Sequence, residues 1–461
     1  MSLGIEMGSI NTGLPKDIVK QIMEAERAPI AKMESRKEKI NDKKKLIDEL
    51  SKLTEDIRGF LGVNGNAKGL RELKVQTNND IIDVAVDKNL AQPTNHQIEV
   101  VQLAQKSSAI SNGFEDKDKS YVGVGYIQYS MPNGDTKEVY VDSSHASLNG
   151  IAQLINETPD MGMSAQVVND GSGEDNPWRL LLSLKDTGSG NAVEFPYFYF
   201  VDGEDDLVLD SQREAHNAKV KLDGFELEFP ENKLKDLIPG MTIDLKKAKP
   251  GEEFSLLVSE DVQAVTSKVK DLVDKMNAVL AFIKKQNTLD GKSDTSRTLG
   301  GDLSLQQLES RLRSAVFSDI QTDWGAKRFG DLGVTFQKDG TLIFEEKKFT
   351  AMSSQNYQMV SQILTGRYNN GIKERGAMDI MTDTVNNALR APDGLLASRK
   401  KSFQGNIDQI DKQIENKQRI LEQKERNLKD KFSRLEGTIS KIKGQAAGIA
   451  GLAGGAGPMP G

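Results

Sequence analysis

The chain has 461 residues, a formal net charge of −7 and no cysteine. Its length predicts roughly two to four domains, and the lack of cysteine excludes a disulfide framework and thiol chemistry. Acidic and basic residues are mixed throughout, so the sequence lacks the basic patch of a nucleic-acid-binding protein. No apolar run is long enough for membrane insertion, and segment 1–17 lacks the basic and apolar regions of a secretory signal.

The longer of two helices predicted near the N-terminus carries apolar residues at alternating steps of three and four, the pattern of a coiled-coil seam. This stripe consists of Met33, Ile40, Ile47, Leu50, Ile57 and Leu61, with Arg36, Lys43 and Thr54 at intervening places. A shorter segment before it has Ile18, Ile22 and Ala25 on one face. Pro29 is predicted to separate the two helices, because proline disfavours helix at the preceding residue. The glycines of NGNAKG are expected to end the longer helix.

Strands are predicted in the middle of the chain, where the apolar period changes to two. The strand-like segments are, in chain order, VQTNNDIIDVAVD, HQIEVVQLAQ, YVGVGYIQYSM, TKEVYVD, MSAQVVN, WRLLLSL, AKVKLDG, FELEFP, MTIDLKK and EFSLLVS. A hairpin is predicted around Pro132–Asp135, and one short amphipathic helix is predicted at 148–155. Residues 74–259 are therefore expected to form a β head.

Helical spacing returns after the β segments. It predicts a helix that begins at Asp261, followed by helices at 303–317, 357–364 and 378–389. A short hairpin is predicted around Asp339-Gly340.

A second seam lies on a helix predicted between residues 399 and 443. Its apolar residues are Phe403, Ile407, Ile410, Ile414, Leu421, Leu428, Phe432, Leu435, Ile439 and Ile442, with Lys417 and Lys424 at two seam places. The extra four-residue step before Phe432 is a stutter, which relaxes a supercoil locally. Neither helix can bury its stripe alone, so the two chain ends are predicted to pair as an antiparallel coiled coil. The alternative is two surface helices of an ordinary domain.

These elements predict an α+β fold with a terminal antiparallel coiled-coil stalk, a helical domain and an inserted, mostly-β head of one or two small domains. The expected boundaries are a leg of 1–40 and 401–443, a helical domain of 41–73 and 260–400, an outer head of 74–109 and 217–259, an inner head of 110–216 and a flexible tail of 444–461. The tail is too rich in Gly and Ala to bury much apolar surface. The seam lysines weaken pairing, so the legs are expected to be mobile in the free subunit.

The search for a chemical site gives little. His96, His145 and His216 are far apart without metal-ligand spacing, and each is interpreted as a surface residue. The acidic run Asp202–Asp206 lacks the oxygen spacing of a calcium loop and is interpreted as a solvated turn. The sequence contains no phosphate-binding loop or nucleophile elbow. We therefore expect no catalytic residues, no cofactor and no metal.

Three aromatic residues are candidates for a binding surface. Trp178, Tyr197 and Tyr199 lie in or near predicted strands. The preferred interpretation is that they pack in the core or within a hairpin.

Five motifs occur in the order found in a known family. They are GSINTGLPKDIVKQIMEAERAPI, NHQIEVVQLAQ, MSAQVV with RLLLSLKDTGSGN, AKVKLDG, and FGDLGVTFQKDGTLIFEEKKF. Between the two terminal seams, this order resembles the flagellar filament-capping family, also called flagellar hook-associated protein 2 or FliD. His96 replaces the usual tyrosine, Asn217 replaces the usual aspartate, and Glu345 or Glu346 replaces the last acidic residue of the final motif. The resemblance extends to about residue 443.

The resemblance implies a structural role without catalysis. Members of this family are secreted through the flagellar export apparatus and form a homo-oligomeric ring at the filament tip. Their heads form a plate, their legs dock onto flagellin, and the cap promotes flagellin folding and insertion during filament growth, which motility requires. The resemblance also implies contact with hook–filament junction proteins and a flagellar export chaperone, and a possible secondary role in cell adhesion.

Two alternatives share the seams and the lack of cysteine. One is a cytosolic coiled-coil adaptor, which would be recovered only inside cells. The other is a surface adhesin unrelated to filament assembly, which would be found away from flagella.

Overall fold

The computed structural model of the protein describes residues 18–131, 135–191, 194–288 and 294–453. Its helices are α1 (Ile18–Asn64), α2 (Ala67–Leu70), α3 (Leu148–Asn156), α4 (Val262–Asn287), α5 (Leu303–Phe317), α6 (Glu346–Gln355), α7 (Tyr357–Thr365), α8 (Ala377–Leu389) and α9 (Leu395–Ala453). In the described ranges, no helix is both long enough and apolar enough to cross a membrane.

Antiparallel strands make up most of the rest. They are β1 (Leu73–Gln76), β2 (Ile82–Val86), β3 (Thr94–Gln102), β4 (Ser108–Ser111), β5 (Gly125–Ser130), β6 (Thr136–Val141), β7 (Met163–Asn169), β8 (Trp178–Leu184), β9 (Tyr197–Phe200), β10 (Leu209–Arg213), β11 (Ala218–Leu222), β12 (Phe225–Phe229), β13 (Lys233–Lys235), β14 (Met241–Leu245), β15 (Phe254–Glu260), β16 (Ile320–Thr322), β17 (Gly325–Lys327), β18 (Val334–Phe336), β19 (Leu342–Phe344), β20 (Arg367–Asn369) and β21 (Ile372–Glu374). The α+β class predicted from the sequence is confirmed.

The chain divides into two compact units. Unit 1 comprises Met1–Leu70 and Thr266–Gly461, and unit 2 comprises Arg71–Val265. In sequence, unit 2 is one continuous insertion into unit 1. The finer division into leg, helical domain and two heads remains a prediction.

One half of unit 2 is built from two sheets, with strand orders β1-β15-β3-β11-β12 and β13-β14-β2. Their inward residues alternate with exposed ones, the pattern of a sheet with one solvated face. In β14, for example, Met241, Ile243 and Leu245 are buried. These residues belong to one apolar core with Ile98 and Val220.

The other half of unit 2 contains the sheets β10-β4-β8-β7 and β6-β5-β9, with α3 packed against β7 and β8. Leu180, Leu182 and Leu184 alternate inward along β8 and join a second core with Ile151 of α3. β4 pairs with β8 and β10, so it belongs wholly to this half. The predicted head boundary between residues 109 and 110 falls inside β4, and the division into two heads remains a prediction. Of the hairpin predicted at Pro132–Asp135, β5 and β6 pair, while residues 132–134 lie outside the described ranges.

Unit 1 is mainly helical. α5 begins after Asp302, whose carboxylate accepts a hydrogen bond from the Ser304 backbone N–H at 2.9 Å, as an N-cap does. The same carboxylate lies 2.7 Å from Arg399 at the start of α9. α8 packs against α1, α5 and α9, and it buries Met381 and Val385. The predicted Asp339-Gly340 hairpin corresponds to β18 and β19.

Pro29 does not end a helix, and this prediction is wrong. α1 continues through Pro29, which is exposed. An internal proline costs about 3 kcal/mol, but burial of Met23 and Ile30 on either side contributes about 1.5–3 kcal/mol each. The face predicted from Ile22 and Ala25 is also wrong, because Ala25 is exposed and Ile22 is only half-buried. The side chain of Ile18 lies outside the described residues.

α9 continues past the predicted start of the tail at residue 444. Residues 444–453 are helical, whereas 454–461 lie outside the described ranges. The reason is that alanine has the highest helix propensity, so an Ala-rich segment can extend a helix that already exists. The composition predicted little burial, and residues 444–447 are exposed, but it did not predict the helix.

Candidate functional site: the paired terminal helices

Polar contacts fix the direction in which the two terminal helices pair. The pairs are Glu26 with Lys424 at 2.6 Å, Lys37 with Asp411 at 2.6 Å, Lys44 with Gln404 at 2.6 Å, and Asp48 with Lys400 at 2.5 Å. Position along α9 falls as position along α1 rises, so the helices are antiparallel. The ion pairs are largely solvated and are worth roughly 0–1 kcal/mol each. They set the register rather than the strength of pairing.

Apolar side chains supply the strength along the stalk. Met23 and Ile30 of α1 pack with Ile410, Ile414 and Leu421 of α9, and all five are buried. Half-buried side chains extend this cluster at both ends, namely Val19, Met33, Ile40 and Leu428. Three- and four-residue spacing aligns these residues on one side of each helix, which is why the stripe can be buried by a single partner.

The remaining α1 seam residues and the first α9 seam residues lie closer to the globular part of unit 1. Ile47, Leu50, Ile57 and Leu61 are buried, as are Phe403 and Ile407. α8 packs against both α1 and α9. A third helix explains why Ile47, Leu50 and Ile57 are fully enclosed, whereas Met33 and Ile40 of the two-helix stalk are half-buried.

The last four residues of the α9 seam are placed differently. Phe432 and Ile439 are half-buried, while Leu435 and Ile442 are 43% and 58% exposed. They lie beyond Leu428, the last α9 residue in the apolar cluster of the stalk. Their assignment to the seam remains a prediction.

Two polar seam residues are satisfied in different ways. Thr54 is 1% exposed, and its hydroxyl donates to the Leu50 carbonyl oxygen at 2.7 Å. The ammonium of Lys424 reaches Glu26 at the solvent edge. A satisfied buried hydroxyl costs little, whereas an exposed lysine buries less apolar surface than the residue usual at that place.

The three histidines occupy separate places in unit 2. His96 Nδ1 lies 2.6 Å from Asp223, His145 Nδ1 lies 2.9 Å from Asp142, and His216 contacts Gln102. The His96 contact, with a backbone N–H bond from Gln97, lowers the pKa of Asp223. The described part of the chain contains no group of three or more His, Asp or Glu placed to hold a metal.

The acidic turn has a structural role that the sequence did not reveal. The Asp202 carboxylate accepts hydrogen bonds from the Tyr121 hydroxyl and the Val124 backbone N–H, both at 2.9 Å. The Asp202 bond raises the pKa of the Tyr121 hydroxyl. The neighbouring acidic side chains, 204–206, are exposed.

The aromatic candidates divide into two groups. Trp178 packs against the second core of unit 2, as expected. Tyr197 and Tyr199 are 67% and 60% exposed, so the expectation of core packing is wrong for them. Strand alternation explains the difference, because Phe198 and Phe200 of β9 take the inward positions.

Two family models match the chain on either side of β4–β10. The N-terminal model of flagellar hook-associated protein 2 matches residues 13–107, and the C-terminal model matches residues 215–444. The matched segments contain all of α1 and α9 as far as residue 444.

The chain belongs to the flagellar hook-associated protein 2 family. Among relatives, B-type flagellar hook-associated protein 2 of Pseudomonas aeruginosa is 27% identical over 379 residues, covering 76% of each chain. The A-type protein of the same species is 25% identical over 453 residues, covering 91% of each. Among solved structures, domains D1-D2-D3 of the Escherichia coli flagellar cap protein give a TM-score of 0.56 at 18% identity, covering 78% of this chain and 100% of that one. That likeness supports the fold of this family member.

Proposed function

We propose that this chain is a structural subunit of the cap at the tip of the bacterial flagellar filament, where it promotes flagellin folding and insertion and is required for motility. Membership of the flagellar hook-associated protein 2 family carries the proposal, because the matched segments include the paired parts of both terminal helices and part of the head. Neither the cytosolic adaptor nor the unrelated adhesin gains support from that membership. The role is structural and non-enzymatic.

The paired terminal helices are the part we assign to filament contact. In the stalk they bury one stripe between them, at Ile410 and Ile414 on α9, and they leave Leu435 and Ile442 exposed further along. An exposed apolar stripe at the end of a long helix supports docking to another helical protein, since helix-in-groove binding uses such spacing. Flagellin is the partner that we propose for it.

A closed ring of identical subunits is the proposed assembly, held through the helical domain and the outer head. A head-to-tail contact that closes on itself produces a ring. Mass measurement over a wide concentration range should show one closed species above the monomer. Monomer alone at the highest concentration would contradict the ring.

The proposed route to the filament tip is secretion through the flagellar export apparatus, with an export chaperone and hook–filament junction proteins as further partners. The lack of cysteine supports this route, because the fold needs no oxidative step. The experiment that tests the function is immunogold labelling of isolated flagella, combined with swimming of a deletion strain. Label at filament tips and loss of swimming, restored by the intact gene, are expected; label along filament sides or unchanged swimming would refute the cap role.

A further inference from the structure

A groove in unit 2 lies between two strands that each form the edge of a different sheet. β9 ends the sheet β6-β5-β9, and β10 ends the sheet β10-β4-β8-β7. The groove has a volume of about 500 Å3. Its apolar lining includes Phe195, Phe198, Phe200, Leu207, Val208 and Leu209.

The backbone of β9 offers hydrogen-bonding groups on its outer side. The Val201 N–H donates to the Val124 carbonyl oxygen at 2.9 Å, and Tyr199 is paired with Tyr126. Alternate residues of an antiparallel strand face alternate neighbours, so the N–H and C=O groups of Phe198 and Phe200 point away from β5. No described residue forms a hydrogen bond with these groups. An added strand pairs with groups of this kind.

This edge lacks the usual protection against pairing. Natural edge strands are commonly blocked by lysine, proline or a bulge. β9 is Tyr-Phe-Tyr-Phe, with a proline only at position 196 before it, whereas β10 carries a register shift between Leu209 and Ser211. An added strand can therefore pair with β9, whereas the register shift hinders pairing with β10.

The charge around the groove indicates which kind of ligand can bind in it. Asp206 lines it, none of the described lysines or arginines does, and Glu204 and Asp205, which precede Asp206 in the sequence, are exposed. An acidic rim over an apolar floor attracts a chain with basic and apolar side chains. Because strand side chains alternate, one set can enter the floor while the other set faces the rim.

We propose that this groove binds an extended polypeptide segment with alternating apolar and basic residues, which adds to β9 as a further strand. The proposal goes beyond the cap function and does not depend on it, because it rests on the sheet edges and charges of unit 2. A helical segment does not meet these requirements, because its backbone N–H and C=O groups are already bonded to one another.

The test uses the full-length protein and a fluorescein-labelled, end-blocked peptide of about ten alternating valines and lysines, long enough to cover one strand. Anisotropy gives the affinity, and hydrogen exchange reads the Phe198 and Phe200 amides. Binding should slow exchange at both amides. The variant Asp206→Lys with Val208→Lys changes two exposed side chains at the groove, so it should keep the fold and weaken binding by about tenfold.

Matched controls distinguish binding in this groove from nonspecific binding. Val201→Lys changes a 73% exposed residue that does not line the groove, and it should leave binding unchanged. A valine–glutamate peptide, and a valine–lysine peptide N-methylated along one edge, should both fail to bind. Equal binding by either peptide, equal binding by the groove variant, or no binding at about 1 mM peptide overturns the proposal. Concentration-dependent protection of both amides without peptide also overturns it, because a second copy would then fill the groove.

Discussion

Charge placed in the middle of the stalk should stop its assembly without stopping export. Ile410 and Ile414 are 5% and 9% exposed in the apolar cluster with Met23 and Ile30. The variant Ile410→Asp with Ile414→Asp replaces both with carboxylates. Swimming should then fail, while the protein is still recovered outside the cell.

The size of the effect follows from burial. Each isoleucine loses about 1.5–3 kcal/mol of apolar burial, so the pair loses roughly 3–6 kcal/mol. Each new carboxylate must either keep water in the seam or give up its hydration, and both add to the lost free energy of helix pairing. The seam ion pairs, at roughly 0–1 kcal/mol each, are too weak to compensate.

A control on the same helix makes the result specific. Ile420 is 56% exposed, so Ile420→Asp changes the same residue type without disturbing the seam. Circular dichroism should show lost helix only for the double variant, and swimming should fail only there. Normal swimming by the double variant, with protein at normal levels outside the cell, would remove the seam from the mechanism. Equal loss from Ile420→Asp would show that helix surface charge, rather than the seam, is responsible.

Further predictions concern order, docking and charge. The legs should exchange amide hydrogens faster across 403–442 than across strands 218–229 in the free subunit, because two-helix pairing with seam lysines is weak; equal protection would contradict this. Ile442→Asp should leave the unfolding free energy unchanged but reduce swimming, since this side chain is exposed in the free chain; unaffected swimming would exclude docking through it. Arg71→Leu should lower the unfolding free energy of unit 2 by about 1–3 kcal/mol at neutral pH and less in acid. Burial raises the pKa of Glu260 in the folded protein, and Arg71 opposes that rise. The stability contributed by protonated Glu260 is therefore present below the pKa of the unfolded state and is lost as pH rises through the pKa of the folded state. Urea titrations at two pH values check this, with Glu260→Gln added to Arg71→Leu as the pH-insensitive control, and an equal loss at both pH values would refute it.

Local signals predicted the elements best where they agreed with packing. The 303–317 helix has an aspartate cap and inward leucines, and its observed bounds are the predicted ones. Pro29 shows the opposite case, because burial against α9 outweighs a local preference that a single-helix argument treats as decisive. The exposure of Tyr197 and Tyr199 was missed because a fully aromatic strand hides which alternate set faces the core. α6 was missed because a charged run follows β19 without a clear apolar period.

The two seams could be predicted from the sequence because their apolar residues recur at steps of three and four. Their partners were harder to assign, since Met23 and Ile30 lie on either side of the proline that broke the pattern. The groove beside β9 was not predictable from spacing. It depends on which sheet edges remain free, and this is a property of strand order rather than of any one strand.

The antiparallel pairing of the chain ends has a consequence for the order of folding. Lys37 and Asp411 meet although 374 positions separate them. Closing a loop of that length from an unfolded chain costs roughly 5 kcal/mol in entropy. The weak stalk contacts cannot readily offset this cost before the globular part of unit 1 has folded. Once the globular part of unit 1 has formed, Asp48 and Lys400 are already adjacent, and each further turn of the stalk needs only short-range ordering. The stalk should therefore form from its globular end outward, so the contact between Glu26 and Lys424 should form after the contact between Lys37 and Asp411.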